Sequence, residues 1–292
     1  MTLLVFLLAY LIRRRLDAGG HWQSERVWAG WFRLVLVVLP DRVGRWAGVL
    51  VAAALPALLA LWITGGLAHR GIWLLWVPFE VLVLVMLMGA PGWRAPLGSY
   101  VEAWTRGDMQ AAWHHVRDRL PADERGSALS PDAMHRSLCR VYLDSMFSRF
   151  FLVAFWYVVA GLPGAVMART LAGQWPERGR RDALRWPLQL AGWLPLRLLC
   201  LTFGLAGDLS GWLRTADRRW LGLRTSAGDL LMRAANGALT GYALDPARFQ
   251  KLHPTEWADF GGRSVAAIRD LLNRSMLIWL CLLALLVIAG LI

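Results

Sequence analysis

Two charged residues stand where charge is costly. Glu80 and Arg197 each lie near the middle of a long apolar run, where an isolated ion costs at least about 2.5–3.5 kcal/mol on insertion scales. Such groups need a counter-charge, water or neutrality, so they mark either a polar cavity between helices or two separate structural contacts, and both readings stay open. A second set is Glu102, Arg106 and Asp108, in which Glu102 and Arg106 have the i, i+4 spacing of an ion pair on a helix surface. A third is Arg149 and Arg169, which flank an apolar run interrupted by Gly161, Pro163 and Gly164. Taken together, Glu102, Arg106, Asp108, Arg149, Arg169 and Arg197 form a candidate polar cavity whose basic excess suits an anionic ligand.

Other chemistries find little support. Cys139, Cys200 and Cys281 are far apart and form neither a disulfide framework nor a CxxC pair. His114 and His115 are adjacent, so on a helix they point about 100° apart and do not chelate one ion as an i, i+4 pair would. No metal site, catalytic set or cofactor is expected. The net charge of +12 does not point to nucleic acid, because the arginines sit beside apolar runs and interleave with acids. Contact with anionic lipid headgroups fits better.

The elements that must position these residues are hydrophobic helices. At 292 residues the chain is 57% hydrophobic, with a mean hydropathy of +0.42, more apolar than soluble domains of that length. Five runs have the length and apolarity of spans: 46–64, 71–90, 150–168, 186–206 and 276–292. Residues 1–12 are short for a crossing, and Arg13, Arg14 and Arg15 occupy the place of a signal-peptide cleavage site, so cleavage is not expected. No ten-residue alternating pattern points to a barrel. The expected class is all-α: a single polytopic membrane domain over 1–292, with about five or six spans and amphipathic cytoplasmic helices in loops 91–149 and 209–275.

Orientation follows from Lys and Arg near span ends. The loops 13–45, 91–149 and 209–275 together hold twenty-five basic residues, against six on the opposite face and Arg197 within a span, which predicts that the long loops face the cytoplasm. Five arginines between Arg169 and Arg185 oppose that assignment. Trp46, Trp62, Trp73, Trp93 and Trp186 lie near span ends, as headgroup anchors do. Leu97, Val101, Trp104, Ala112, Val116 and Leu120 predict one amphipathic helix over 97–120. Pro121–Gly126 reads as a turn, Ser130 and Pro131 as an N-cap and first helical position, Ala227–Gly241 as a close-packing helix, and Asp245–Pro246 and His253–Pro254 as breaks before helix resumes near Ser264.

The order of several motifs resembles a known family. Glu-Ala-Trp-x-Arg-Gly-Asp at 102–108, Arg-Phe-Phe-x-x-x-Phe-Trp-Tyr at 149–157, Gly-x-Pro-Gly-Ala at 161–165, Trp-Leu-Pro-x-Arg-Leu at 193–198 and Leu-Ala-Gly-Asp at 205–208 look like AmpE, the regulatory signalling modulator linked to β-lactamase induction. AmpE is in turn similar to the CobD/CbiB membrane enzymes of cobalamin synthesis, which join an aminopropanol-type amine to a corrinoid carboxylate. In those enzymes the segments around the glycine-proline break carry carboxylate and amide groups. Here Asp144 to Ser148 and Met167 to Leu171 stand in their place, which implies a non-enzymatic modulator sensing an anionic cell-wall-derived ligand. The resemblance also implies a functional link to an anhydro-muropeptide amidase. The alternatives are an amide-forming ligase in which Glu102 and Asp108 would hold a metal, and a small transporter built on Glu80, Arg197 and the broken run.

After cell disruption the chain is expected to pellet with membranes and to need detergent for extraction. Recovery in a high-speed supernatant without detergent would remove the membrane reading.

Overall fold

The structure, a computed structural model, describes residues 2–19, 31, 45–69, 73–88, 92–120, 124–125, 130–173, 178–215, 220, 222 and 225–290. Among them are helices and turns and no strand. In chain order the helices are α1 (Thr2–Gly19), α2 (Arg45–His69), α3 (Trp73–Leu87), α4 (Arg94–Thr105), α5 (Met109–Val116), α6 (Pro131–Met146), α7 (Leu152–Leu171), α8 (Arg178–Ala206), α9 (Leu209–Thr215), α10 (Ala227–Ala238), α11 (Pro246–Leu252) and α12 (Trp257–Ile288). The chain groups into two interleaved compact units: 1–91, 148–195 and 280–292 form the first, and 92–147 and 196–279 the second.

Three helices, Pro131–Leu171, Trp186–Ala206 and Pro254–Ile288, are long and apolar enough to cross a membrane. For two of the other expected spans the described residues give shorter apolar stretches, Ala53–Gly66 within the 25-residue helix α2 and Leu75–Leu87 within α3. The described residues are thus those of a helical membrane protein, and three of the expected spans meet the full length among them.

In the first unit α2 packs along α7, α3 contacts both, and α1 lies along α3. Helix α1 shows why its run is short: Val5, Phe6, Ala9 and Arg13 are buried, whereas Leu4, Leu7, Leu8 and Leu11 are exposed. This is a one-sided pattern in which both faces are apolar, as in a helix with protein on one side and lipid on the other. The apolar face of α2 is also outward, with Leu58 and Trp62 exposed. Helix α7 follows a π-helical turn at Phe147–Phe151 and is broken where expected. Ala160 (φ −132°) and Gly161 (φ 65°, ψ −160°) leave the helix, a conformation only glycine adopts readily, and Pro163 then lacks an N–H for the ladder.

In the second unit α4 and α5 pack together, α6 carries α10 and α11, and α9 crosses α10. The helix expected over 97–120 is two. Gly107 takes a left-handed φ of 76°, and the Asp108 carboxylate accepts from the Ala111 N–H at 2.9 Å to start α5. The apolar stripe survives the break: Leu97, Trp104, Ala112, Val116 and Leu120 are all buried. Ser130 caps α6 with Pro131 in its first turn, as expected. The Ala227 helix ends at Ala238, and the last helix begins at Trp257, seven residues before Ser264.

The tryptophans divide. Trp62 and Trp186 are exposed, as anchors are, but Trp93 is buried in the second unit, its indole N–H donating to Ser145 Oγ at 3.1 Å. Arg119 lies over its ring, so Trp93 is a packing residue. The side chains of Trp46 and Trp73, most of loop 13–45 and most of the turn Pro121–Gly126 lie outside the described residues.

The α9–α10 crossing leaves no room for side chains. A Cβ on Gly211 would sit 2.6 Å from the Gly237 carbonyl oxygen, and backbone cannot step aside as a flexible side chain can. Gly211→Ala is expected to destabilise the protein by about 1–3 kcal/mol, read as a lower midpoint of thermal unfolding in detergent.

Candidate functional site

The six residues of the expected cavity fall in both units: Arg149 and Arg169 in the first, and Glu102, Arg106, Asp108 and Arg197 in the second. Each has a definite local setting. Glu102 and Arg106, at the end of α4, are 3.5 Å apart and are 70% and 63% exposed, so they form the surface ion pair that their spacing predicts. Asp108 is the N-cap of α5. The motif Glu-Ala-Trp-x-Arg-Gly-Asp thus ends one helix and begins the next, and its Trp104 is fully buried. Arg149 and Arg169 bracket α7 and are buried, at 7% and 4% exposed.

The two charges in apolar runs have separate polar contacts, each within its own unit. Glu80 on α3 accepts from the Tyr157 hydroxyl on α7 at 3.2 Å, and Phe6 of α1 stacks on the Tyr157 ring. Arg197 on α8 is 6% exposed. Its Nε donates to the Trp220 carbonyl at 3.2 Å and its Nη2 to the Gly222 carbonyl at 2.8 Å. A cation in an apolar helix thus meets the negative ends of backbone dipoles carried by a loop.

The motif Leu-Ala-Gly-Asp has a local role as well. Gly207 lies against the Ala238 carbonyl too closely for a Cβ, and Asp208 accepts from Ser210 N–H and Oγ at the start of α9. The backbone N–H of Gly211, with further help from Ser210, holds the Asp208 carboxyl below its usual range.

Sequence reasoning missed a buried polar chain in the second unit. His135 of α6 is fully buried. Its Nδ1 lies 2.8 Å from the Tyr100 hydroxyl and its Nε2 lies 2.7 Å from Ser264 Oγ. The Ser264 hydroxyl donates to the Gly261 carbonyl at 3.1 Å. With that proton committed, Ser264 accepts from Nε2–H, which leaves Nδ1 to accept from Tyr100. Burial pushes the Tyr100 phenol well above its ordinary range, so it remains a donor. In this arrangement the imidazole carries its proton on Nε2, and the Tyr100 and Ser264 hydroxyls each have an acceptor. Trp104 and Phe260 close over it, and Cys139 Sγ lies 3.3 Å from Nε2. A lone histidine at the start of a helix, with partners 35 and 129 residues away, gives no local pattern to read.

A second missed cluster centres on Arg140 of α6. It pairs with Glu124 at 2.7 Å and with Asp229 of α10 at 3.5 Å, and Ser137 donates to the other oxygen of Glu124. Gly228 lets α10 approach, since a Cβ there would be 2.7 Å from Arg140 Cγ. Among the described residues no group of three or more His, Cys, Asp or Glu side chains is arranged to hold a metal ion.

Burial separates these contacts energetically. Tyr100→Phe strands a buried imidazole nitrogen and is expected to cost about 1–3 kcal/mol, whereas Glu102→Ala at the exposed pair should change stability by no more than about 0.5 kcal/mol. Thermal unfolding of the two variants side by side checks the ranking.

No family model matches the chain, and no solved structure matches it. Two curated proteins do. Cobalamin biosynthesis protein CobD of Chromobacterium violaceum is 30% identical over 257 residues, covering 79% of this chain and 78% of that protein. Cobalamin biosynthesis protein CobD of Stutzerimonas stutzeri is 29% identical over 181 residues, covering 58% of this chain and 54% of that protein. Neither bears the AmpE name, so the wider of the two resemblances is the one these relatives support: the chain belongs to the CobD family of cobalamin biosynthesis proteins.

Proposed function

We propose that this protein serves cobalamin biosynthesis as a membrane-embedded ligase, joining an amine to a corrinoid carboxylate. The observation that carries this reading is the 30% identity with a CobD protein across 78% of that protein's length. The chemistry sets clear demands. A carboxylate does not condense with an amine in water unless its oxygen is first made a leaving group, so a nucleoside triphosphate is the natural co-reactant. The amine must lose a proton before it attacks, and the anionic substrate needs cations that are oriented in advance. Arg149 and Arg169 in the first unit, and separately Arg197 in the second, are buried cations whose charge suits the last task. Glu102, Arg106 and Asp108 are exposed groups at one helix junction of the second unit.

The modulator reading has two sequence features in its favour. Residues Asp144 to Ser148 and Met167 to Leu171 stand in place of the carboxylate and amide runs of the enzymes, and four motifs in order resemble AmpE. Under that reading the same cations would face an anionic cell-wall fragment, the functional link would be to an anhydro-muropeptide amidase, and the setting would be a bacterial inner membrane with the long loops cytoplasmic.

One genetic experiment separates the two. In cells lacking their own CobD protein and dependent on an incomplete corrinoid for growth, expression of this chain is expected to restore cobalamin-dependent growth. Arg149→Ala and Arg197→Ala should each lower that rescue at least tenfold at equal protein level. Failure to rescue, together with altered β-lactamase induction, would overturn the ligase reading in favour of the modulator.

A further inference from the structure

At the end of α8 the chain folds back on the span it has just completed. The exposed face of α8 carries Leu198, Leu201 and Leu205, at the helical spacing of a lipid-facing stripe, and the helix stops at Ala206. Continued straight, residue 212 would stand about 12 Å beyond Gly204, at roughly 1.5 Å per residue. Instead a Cβ on Gly204 would lie 3.1 Å from the Trp212 ring and 3.2 Å from Leu209 Cδ1. The turn at Gly207 and Asp208, where the Asp208 N–H donates to the Ala238 carbonyl at 2.8 Å, thus lays α9 beside the last turn of the span, with the Leu209 side chain at the level of Gly204.

Helix α12 marks the same level independently. Arg274 Nη1 donates to the Ala206 carbonyl at 3.3 Å, and the Trp279 indole N–H donates to Thr202 Oγ1 at 3.4 Å, so the two helices run antiparallel in a fixed register. On the exposed face of α12, Arg269, Asp270, Asn273 and Arg274 give way to Leu277, and the Arg274 contact puts that change beside Ala206. Two helices end their apolar faces at one height, which is where the surface of a bilayer belongs.

Around its axis α9 is divided in the way that height requires. At about 100° per residue, Trp212 takes the protein side and is buried, while Leu209 and Leu213 project together and are 44% and 58% exposed. Ser210 and Arg214, both exposed, lie about a quarter turn further round. We propose that α9 is an interfacial helix, with Leu209 and Leu213 seated in the acyl-chain boundary of the bilayer and Arg214 among the headgroups. The occupant of the leucine face is lipid of the membrane that α8 crosses, because that face continues the stripe ending at Leu205 and is flanked by a cation that suits headgroup phosphates. The proposal goes beyond the ligase reading and rests only on α8 spanning a membrane.

The test uses the full chain in vesicles of equal parts phosphatidylcholine and phosphatidylglycerol. Cys139 and Cys200 are buried and Cys281 is exposed, so Cys281→Ser gives a background in which an added surface cysteine takes a nitroxide label. Labels are placed by Leu213→Cys and Arg214→Cys, with Leu277→Cys as the lipid reference and Arg269→Cys as the wet one, all at exposed positions that tolerate substitution. Collision with oxygen, which concentrates in acyl chains, is compared with collision with a water-soluble nickel chelate. The expected result is an oxygen-to-nickel ratio at 213 several-fold above that at 214 and close to that at 277, with 214 close to 269. Nickel access at both 213 and 214 would put α9 in water and overturn the proposal. Oxygen access at both would overturn it too, by sinking the whole helix into the hydrocarbon. Shielding of 213 from both reagents, with spin–spin broadening between labels, would replace lipid by a second copy of the chain and overturn it equally.

Discussion

A polar group that leaves water must find its hydrogen bonds inside the protein, and this requirement organises most of what is distinctive in the structure. The penalty for failing it is several-fold larger in an apolar helix bundle than at a wet surface. Helix α3 contains one carboxyl, Glu80, and the neighbouring α7 supplies a hydroxyl to it. The apolar stretch of α8 contains one guanidinium, Arg197, and a loop supplies two carbonyls. Helix α6 buries an imidazole, and hydroxyls from two other helices bracket it. In each case the partner is on another element, so satisfying the group also fixes how elements pack.

The second constraint is close approach of backbone. Gly207, Gly211 and Gly237 at the α9–α10 crossing, and Gly228 beside Arg140, occupy places where a methyl group would collide with main chain or with a neighbouring side chain. Gly261 plays the same part under Trp104, whose ring would be 2.7 Å from a Cβ there. The Trp104 indole in turn donates to the Trp257 carbonyl at 3.2 Å, so the largest buried side chain of the second unit sits beside the smallest residue of α12. Where the backbone turns, the same economy of atoms appears: Gly107 and Asp108 end one helix and cap the next, and Gly161 breaks α7.

These roles bear on function. Several motifs that resemble AmpE have local structural roles: a helix junction at 102–108, a break at 161–165 and a close crossing at 205–208. Scaffold motifs of that kind can be shared across a family whose members differ in chemistry, so they speak to fold more than to activity. The identity with CobD proteins extends over most of the chain and is the stronger guide to class. The polar groups with the most constrained surroundings, Arg197 and its loop carbonyls, are a better place to look for ligand chemistry than the exposed Glu102–Arg106 pair, which solvent screens.

What the sequence settled alone was what depends on nearby residues. Apolar runs identified the helices and their lipid-facing character. Ser130 with Pro131, and the 161–164 break, were legible because capping and helix interruption are local events, and the Glu102–Arg106 pair was legible because helical spacing creates it. The split at Gly107 was misread because an apolar stripe continues through it, although glycine followed by aspartate is a stop and a start. What only the tertiary structure decided was which distant groups meet: Tyr100 and Ser264 at His135, Trp220 and Gly222 at Arg197, Asp229 at Arg140. Trp93, which spacing places at a headgroup boundary, is buried by packing that its neighbours in sequence do not determine. Hydrogen-bond partners tens of residues apart are selected by the whole fold at once, and no window along the chain contains that information.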